Sequence, residues 1–140
     1  MAMTNNYLKY HDVTIGKHVV IGHGAIIYPN VVIGDNTFIG PYSILGEPTG
    51  SFYSEAEGCA EKHNFKKTII GANTVIRSHS VIYENVEIGA EFQSGHRITI
   101  RENTRIGINC SVGTLSDIQD NVKLGNFVRV HSNVFMGQYT

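Results

Sequence analysis

His96 stands in the segment Gln93-Ser94-Gly95-His96-Arg97 and is the residue best suited to accept a proton at neutral pH. An imidazole has an unperturbed pKa near 6.5, so small changes in its surroundings set its charge. His79 lies 17 residues earlier and is a second candidate of the same kind. Gly95 and Gly113 could offer backbone N–H groups to a developing oxyanion, which is the other requirement of acyl transfer to an amine or hydroxyl. Arg77, Arg97 and Arg101 have the planar, permanently charged heads that suit phosphate groups, and His131 adds a further polar contact for a substrate. Any of these arginines could equally be a solvated surface residue.

A six-residue repeat must position these groups. Ile15, Ile21, Ile27, Ile33, Ile39 and Leu45 form one run, and Ile70 through Met136 form a second with the same six-residue spacing, with Ser94 the only non-aliphatic member of the 18. The next residue is Gly in 12 of the 18 hexads. A helix drifts out of phase with a six-residue period and a plain strand alternates by two, so the pattern predicts a solenoid that turns a corner once per hexad. Four residues after each aliphatic comes a second inward position, mostly small or β-branched, as in Val31, Thr74, Ser80, Val86, Thr104 and Val122. Phe92 is oversized for that position and Ser94 undersized for its own, which reads as a volume exchange within one layer. Three hexads per turn give six triangular coils and a prism about 29 Å tall.

The corners fall on three edges. Position three after the aliphatic is Asn in eight hexads, and Asn tolerates left-handed backbone well. One edge (Asn30, Pro48, Asn85, Asn103, Asn121, Tyr139) is mostly Asn and reads as structural. A second (His18, Asn36, Asn73, Glu91, Asn109, Phe127) is half so. On the third (Gly24, Tyr42, His79, Arg97, Leu115, Asn133) the Asn rule lapses, and His23, His79, His96 and His131 gather there. Functional sites are where local rules fail, so this edge is the predicted site.

The repeat lapses between Leu45 and Ile70, and residues 47–67 form an excursion from one corner. Pro48, Gly50, Gly58 and the charges disfavour a local core there, while Phe52 and Tyr53 could dock on a partner. A loop of this length in a compact domain is expected to be functional. The hexads run to Thr140 without the polar cap that terminal repeats normally need, which predicts a single domain over 1–140 whose further C-terminal coils or cap are missing.

Composition excludes several classes. Eleven basic and 12 acidic residues leave a formal net charge of −1, which gives no electrostatic case for nucleic acid. There is no apolar run of membrane-spanning length and no apolar stretch at the start. The two cysteines read as reduced thiols of a cytoplasmic protein.

The whole pattern resembles the left-handed parallel β-helix of the hexapeptide-repeat acyltransferases, over about residues 13–140 apart from the loop. The Gly95-His96 pair resembles the Gly-His or Ala-His that supplies the general base in those enzymes. GHRITIRENTRIGINCSVGTLSDI and the preceding long loop are similar to the corresponding parts of sugar and nucleotide-sugar acetyltransferases. The resemblance implies an all-β fold, acetyl-CoA as co-substrate, a sugar acceptor, a homotrimer with sites between neighbouring helices, and no metal. Two other classes compete. Gamma-class carbonic anhydrases also carry two histidines 17 residues apart, but the third-ligand position here is Arg101, and a cation cannot ligate zinc. A non-catalytic β-helix scaffold would explain the repeat but not the histidine edge.

Overall fold

The computed structural model describes residues 6–55 and 57–140. The first five residues, on which the reading of the N-terminus partly rested, and Ala56 in the loop lie outside the described residues. Among the described residues nineteen strands, most of two residues, pair only with strands three places away in the chain. They build three parallel sheets of seven, six and six strands. The aliphatic position stays in register turn after turn, as in Ile27↔Leu45, Leu45↔Ile82 and Ile82↔Ile100. The chain is thus the left-handed parallel β-helix that the hexapeptide resemblance implies. The register across Leu45 and Ile70 shows that the loop is an excursion between consecutive hexads.

Six coils undercount the turns, because Leu8–Lys9 pairs with Ile26–Ile27 as a further strand. That hexad is hidden in the sequence: Lys9 holds the aliphatic position and Tyr10 the glycine position. Inside, the aliphatic column and Ala25, Val31, Val86, Phe92, Ile98, Cys110 and Val122 form one continuous core. The inward hydroxyls bond to backbone: Thr37 to the Gly71 carbonyl at 3.2 Å, Ser43 to Arg77 at 3.1 Å and Ser116 to His131 at 2.7 Å. Among the described residues no buried side-chain nitrogen or oxygen lacks a partner, as a close-packed interior requires. Both cysteines are free thiols.

Among the described residues eighteen other than glycine have positive φ, and all but Glu57 sit at the third position of a hexad. This corrects the expectation for the histidine edge. Tyr42, His79, Arg97 and Leu115, with φ of 59°, 60°, 55° and 64°, take the same left-handed turn as every Asn. The corner geometry is kept there and only the residue that relieves its strain is missing.

The loop also differs from expectation. Gly50–Ser54 is a short helix, and Phe52, Ala60 and Phe65 bury themselves in a second core with Tyr10 and Tyr28. Phe52 is therefore packed against its own chain, while Tyr53 is 64% exposed. The physical reason is a chain of ring contacts: Tyr10 stacks on Tyr28 at 5.1 Å, Tyr28 on Phe65 at 5.6 Å, and His63 meets Phe65 edge-on at 4.5 Å. The Asn30 amide also donates to the Phe65 carbonyl at 3.1 Å.

Candidate active site

Backbone ladders fix each corner. The third-position N–H donates to the second-position carbonyl of the preceding turn: Arg97 to Ser78 at 2.9 Å, Leu115 to His96 at 3.0 Å and Asn133 to Thr114 at 2.9 Å. His96 thus occupies the same slot as Ser78 and Thr114 in adjacent turns. Its Nδ1 lies 2.9 Å from Ser78 Oγ, and its own N–H donates to Thr114 Oγ1 at 3.2 Å. The ring itself is exposed. When Nδ1–H donates to Ser78, the Nε2 lone pair faces outward, which is the tautomer a proton acceptor needs.

His79 does not pair with His96. It sits one slot later, and its ring lies on Tyr42 at 5.3 Å, which in turn meets His23 edge-on at 5.6 Å. His131 takes the glycine slot of its hexad and is exposed. The four histidines share an edge but occupy three different slots, and among the described residues no three His, Cys, Asp or Glu converge as a metal group would.

Beside His96 runs an open groove of about 260 Å³ that brings together Arg77, Gly95, Gly113 and His131. Ser94 explains part of it. Its hydroxyl accepts the Arg77 N–H at 3.0 Å and its carbonyl accepts Arg77 Nη1 at 2.7 Å, so the missing aliphatic anchors an arginine over the groove. The two glycine N–H groups are not available to a substrate: Gly95 donates to Val112 and Gly113 to Val130, each at 2.8 Å. What Gly95 provides is close approach, since a Cβ there would stand 2.7 Å from Thr114 Cα. Among the described residues, the backbone N–H groups of Ser78 and Thr114, the two neighbours of His96, have no partner. Arg97 projects into solvent at its corner. Arg101 is elsewhere: it lies on the loop edge, bonded to Glu102 at 2.8 Å and seated 4.7 Å from the Tyr83 ring centroid.

A second histidine site went unread in the sequence. His63, from the loop, places Nε2 2.6 Å from Glu84 Oε2. Their side chains are only 7% and 4% exposed. The Thr49 N–H donates to the same carboxylate oxygen at 3.3 Å. One signal could have pointed here. The loop edge carries Tyr10, Tyr28, Tyr83, Arg101 and Gln119 where the other edges mostly carry glycine.

A family model described as bacterial transferase hexapeptide (six repeats) matches residues 12–47. The match covers about a quarter of the chain, and the strands beyond it continue the same parallel β-helix. The structure resembles the acetyltransferase domain of PglB from Neisseria gonorrhoeae in complex with acetyl coenzyme A, with a TM-score of 0.66 at 11% identity over 91% of this chain and 55% of that one. It also resembles a variant of perosamine N-acetyltransferase from Caulobacter crescentus in complex with CoA and GDP-perosamine, with a TM-score of 0.62 at 10% identity over 90% and 54%. The UDP-N-acetylglucosamine O-acyltransferase LpxA from Moraxella catarrhalis gives 0.57 at 16% over 94% and 60%. The chain spans less than two thirds of each of these proteins. No curated protein matches it in sequence. Among the described residues no helix is long and apolar enough to cross a membrane.

Proposed function

We propose that this β-helix belongs to an acyl-CoA-dependent acyltransferase, with acetyl as the acyl group and an amine or hydroxyl of a sugar or nucleotide sugar as acceptor. His96 carries the reading. It is an exposed imidazole, tethered through Nδ1 to Ser78, and it follows Gly95, which lines a groove together with Arg77. In this role Nε2 takes the proton as the acceptor attacks the thioester carbonyl, and the thiolate of CoA leaves. The oxyanion is met by the uncommitted N–H of Thr114 rather than by Gly95 or Gly113, whose N–H groups are bonded within the ladder. Arg77 and Arg97 face the phosphates, with His131 beside them. Arg101, fixed on another edge, would serve only a neighbouring subunit's site. The bound CoA and GDP-perosamine of the similar structures support this choice of substrates.

Assembly is part of the proposal. Three chains of 15.4 kDa would form a trimer of about 46 kDa, with each site walled by a neighbour. Release of CoA from acetyl-CoA, followed across a panel of amino sugars and their nucleotide conjugates, tests the activity. Saturable acetyl-CoA binding by a trimer is the expected result. A protein that neither binds acetyl-CoA nor releases CoA with any acceptor would leave the scaffold reading in its place.

A further inference from the structure

The loop edge carries a polar site that the proposed acyl transfer does not use. At its centre is the His63 ring, clamped on three sides: Glu84 at 2.6 Å, Phe65 at 4.5 Å and Phe52 at 5.6 Å between ring centroids. A carboxylate can only accept, so Nε2 carries the hydrogen, and the neutral form of such a ring has its lone pair on Nδ1. Among the described residues Nδ1 has no partner, and no buried side-chain nitrogen or oxygen lacks one. Nδ1 therefore keeps some access to solvent, and the ring lines a groove of about 290 Å³. The same groove holds Asn64, Lys66 and Asn103. The Asn85 amide donates to Asn103 Oδ1 and its own oxygen accepts Arg105 Nη2 at 3.0 Å, which leaves the Asn103 amide hydrogens free.

We propose that this groove is a binding site for a polyhydroxylated ligand of monosaccharide size, with His63 Nδ1 as the acceptor for one hydroxyl and the Asn103 amide as the donor to its neighbour. Three observations carry it. The imidazole is oriented by a buried carboxylate, so its lone pair points one way without a conformational cost on binding. A fixed acceptor next to fixed amide donors matches vicinal hydroxyls, each of which both donates and accepts. The volume sits near the roughly 300 Å³ lower bound of small-molecule sites, which suits one sugar ring and not a nucleotide. The proposal goes beyond acyl transfer and does not depend on it, because His96 lies on another edge.

The test is a titration of the intact chain, with the His63 ring nitrogens followed in long-range 15N–1H spectra. Methyl α-D-glucopyranoside is the probe and glycerol the control. A saturable change at His63 with the glucoside, and only a weak, non-saturating one with glycerol, is expected. Asn103→Gly keeps the left-handed corner accessible while removing the amide, and it should weaken glucoside binding about tenfold. Equal responses to glucoside and glycerol, no response at His63, or undiminished affinity in Asn103→Gly would each overturn the proposal. Because acetyl-CoA takes no part in the measurement, its failure leaves the acyltransferase reading standing, and the reverse also holds.

Discussion

On the open edge His96 stands in solvent, held by a serine hydroxyl from the turn before it. On the loop edge His63 is buried, held by a carboxylate and boxed by two phenylalanine rings. The two edges solve different problems. A corner of the solenoid can display a reactive side chain at no cost to packing, because the core is formed by other positions of the hexad. It cannot bury that side chain with the solenoid alone, because no further layer of the repeat lies beyond the corner. Enclosing an imidazole takes extra chain, and the excursion after Leu45 supplies it. Burial then makes the His63–Glu84 pair matter to stability, while exposure leaves His96 free to serve chemistry alone.

The sharpest way to break this comparison is to remove each histidine's function separately. His96→Ala should lower kcat by roughly 10²–10⁴-fold, the usual contribution of a general base, with an unchanged denaturation midpoint. Ser78→Ala should cost less, because the ring loses its tether but keeps its position. Near-native turnover in His96→Ala would end its role as the base, and His79 would be next to test. The loop edge should respond in the opposite sense. Glu84→Ala leaves the buried His63 ring and the Thr49 N–H without their acceptor, so unfolding in urea should show a loss of about 2 kcal/mol. A loss of stability in His96→Ala as large as in Glu84→Ala would erase the distinction between the edges.

A smaller effect probes the corners themselves. Leu115 holds φ 64° with a side chain that gains nothing from that geometry and is exposed. Leu115→Asn should stabilise the protein by about 1 kcal/mol, since left-handed backbone costs most L-residues roughly 1–2 kcal/mol. The same exchange at Arg97 should give a similar gain but reduce affinity for acetyl-CoA. A gain at Leu115 without any loss of activity, beside a loss at Arg97, would separate strain that is merely tolerated from strain that is used.

The sequence showed the repeat plainly because each hexad restates it: an aliphatic, often a glycine, then a corner. It showed the histidine edge for the same reason, as a departure from a rule visible elsewhere. It could not show which histidines meet, because His96 and His79 differ by one slot and the sharing of an edge does not fix the slot. Hydrogen bonding of Gly95 and Gly113 was equally hidden, since a glycine at a corner looks the same whether its N–H is free or bonded. His63 and Glu84 escaped notice because the loop has no period against which a residue can stand out. The Asn corners beside them hold the left-handed backbone that Asn suits, and that structural role does not show what an amide faces.

The finest test concerns Glu47, where the loop departs. Burial pushes its carboxyl pKa above the ordinary 4.5, and the Tyr53 hydroxyl, 3.5 Å away, opposes that only in part. The folded protein therefore holds this proton to higher pH than the unfolded chain does. Its contribution to stability is fully present below 4.5, falls as pH rises through the raised value, and stays lost above it. Glu47→Gln is neutral at every pH and should melt slightly above the unmodified protein at pH 7. The gap should close as the pH is lowered toward 4, while Glu84→Gln, which replaces the carboxyl that holds His63, should melt below the unmodified protein at pH 7. Melting curves at four or five pH values read both variants together. A Glu47→Gln gain that persists at low pH would trace the effect to packing and not to the proton, and the loop would then leave its corner without desolvating a charge.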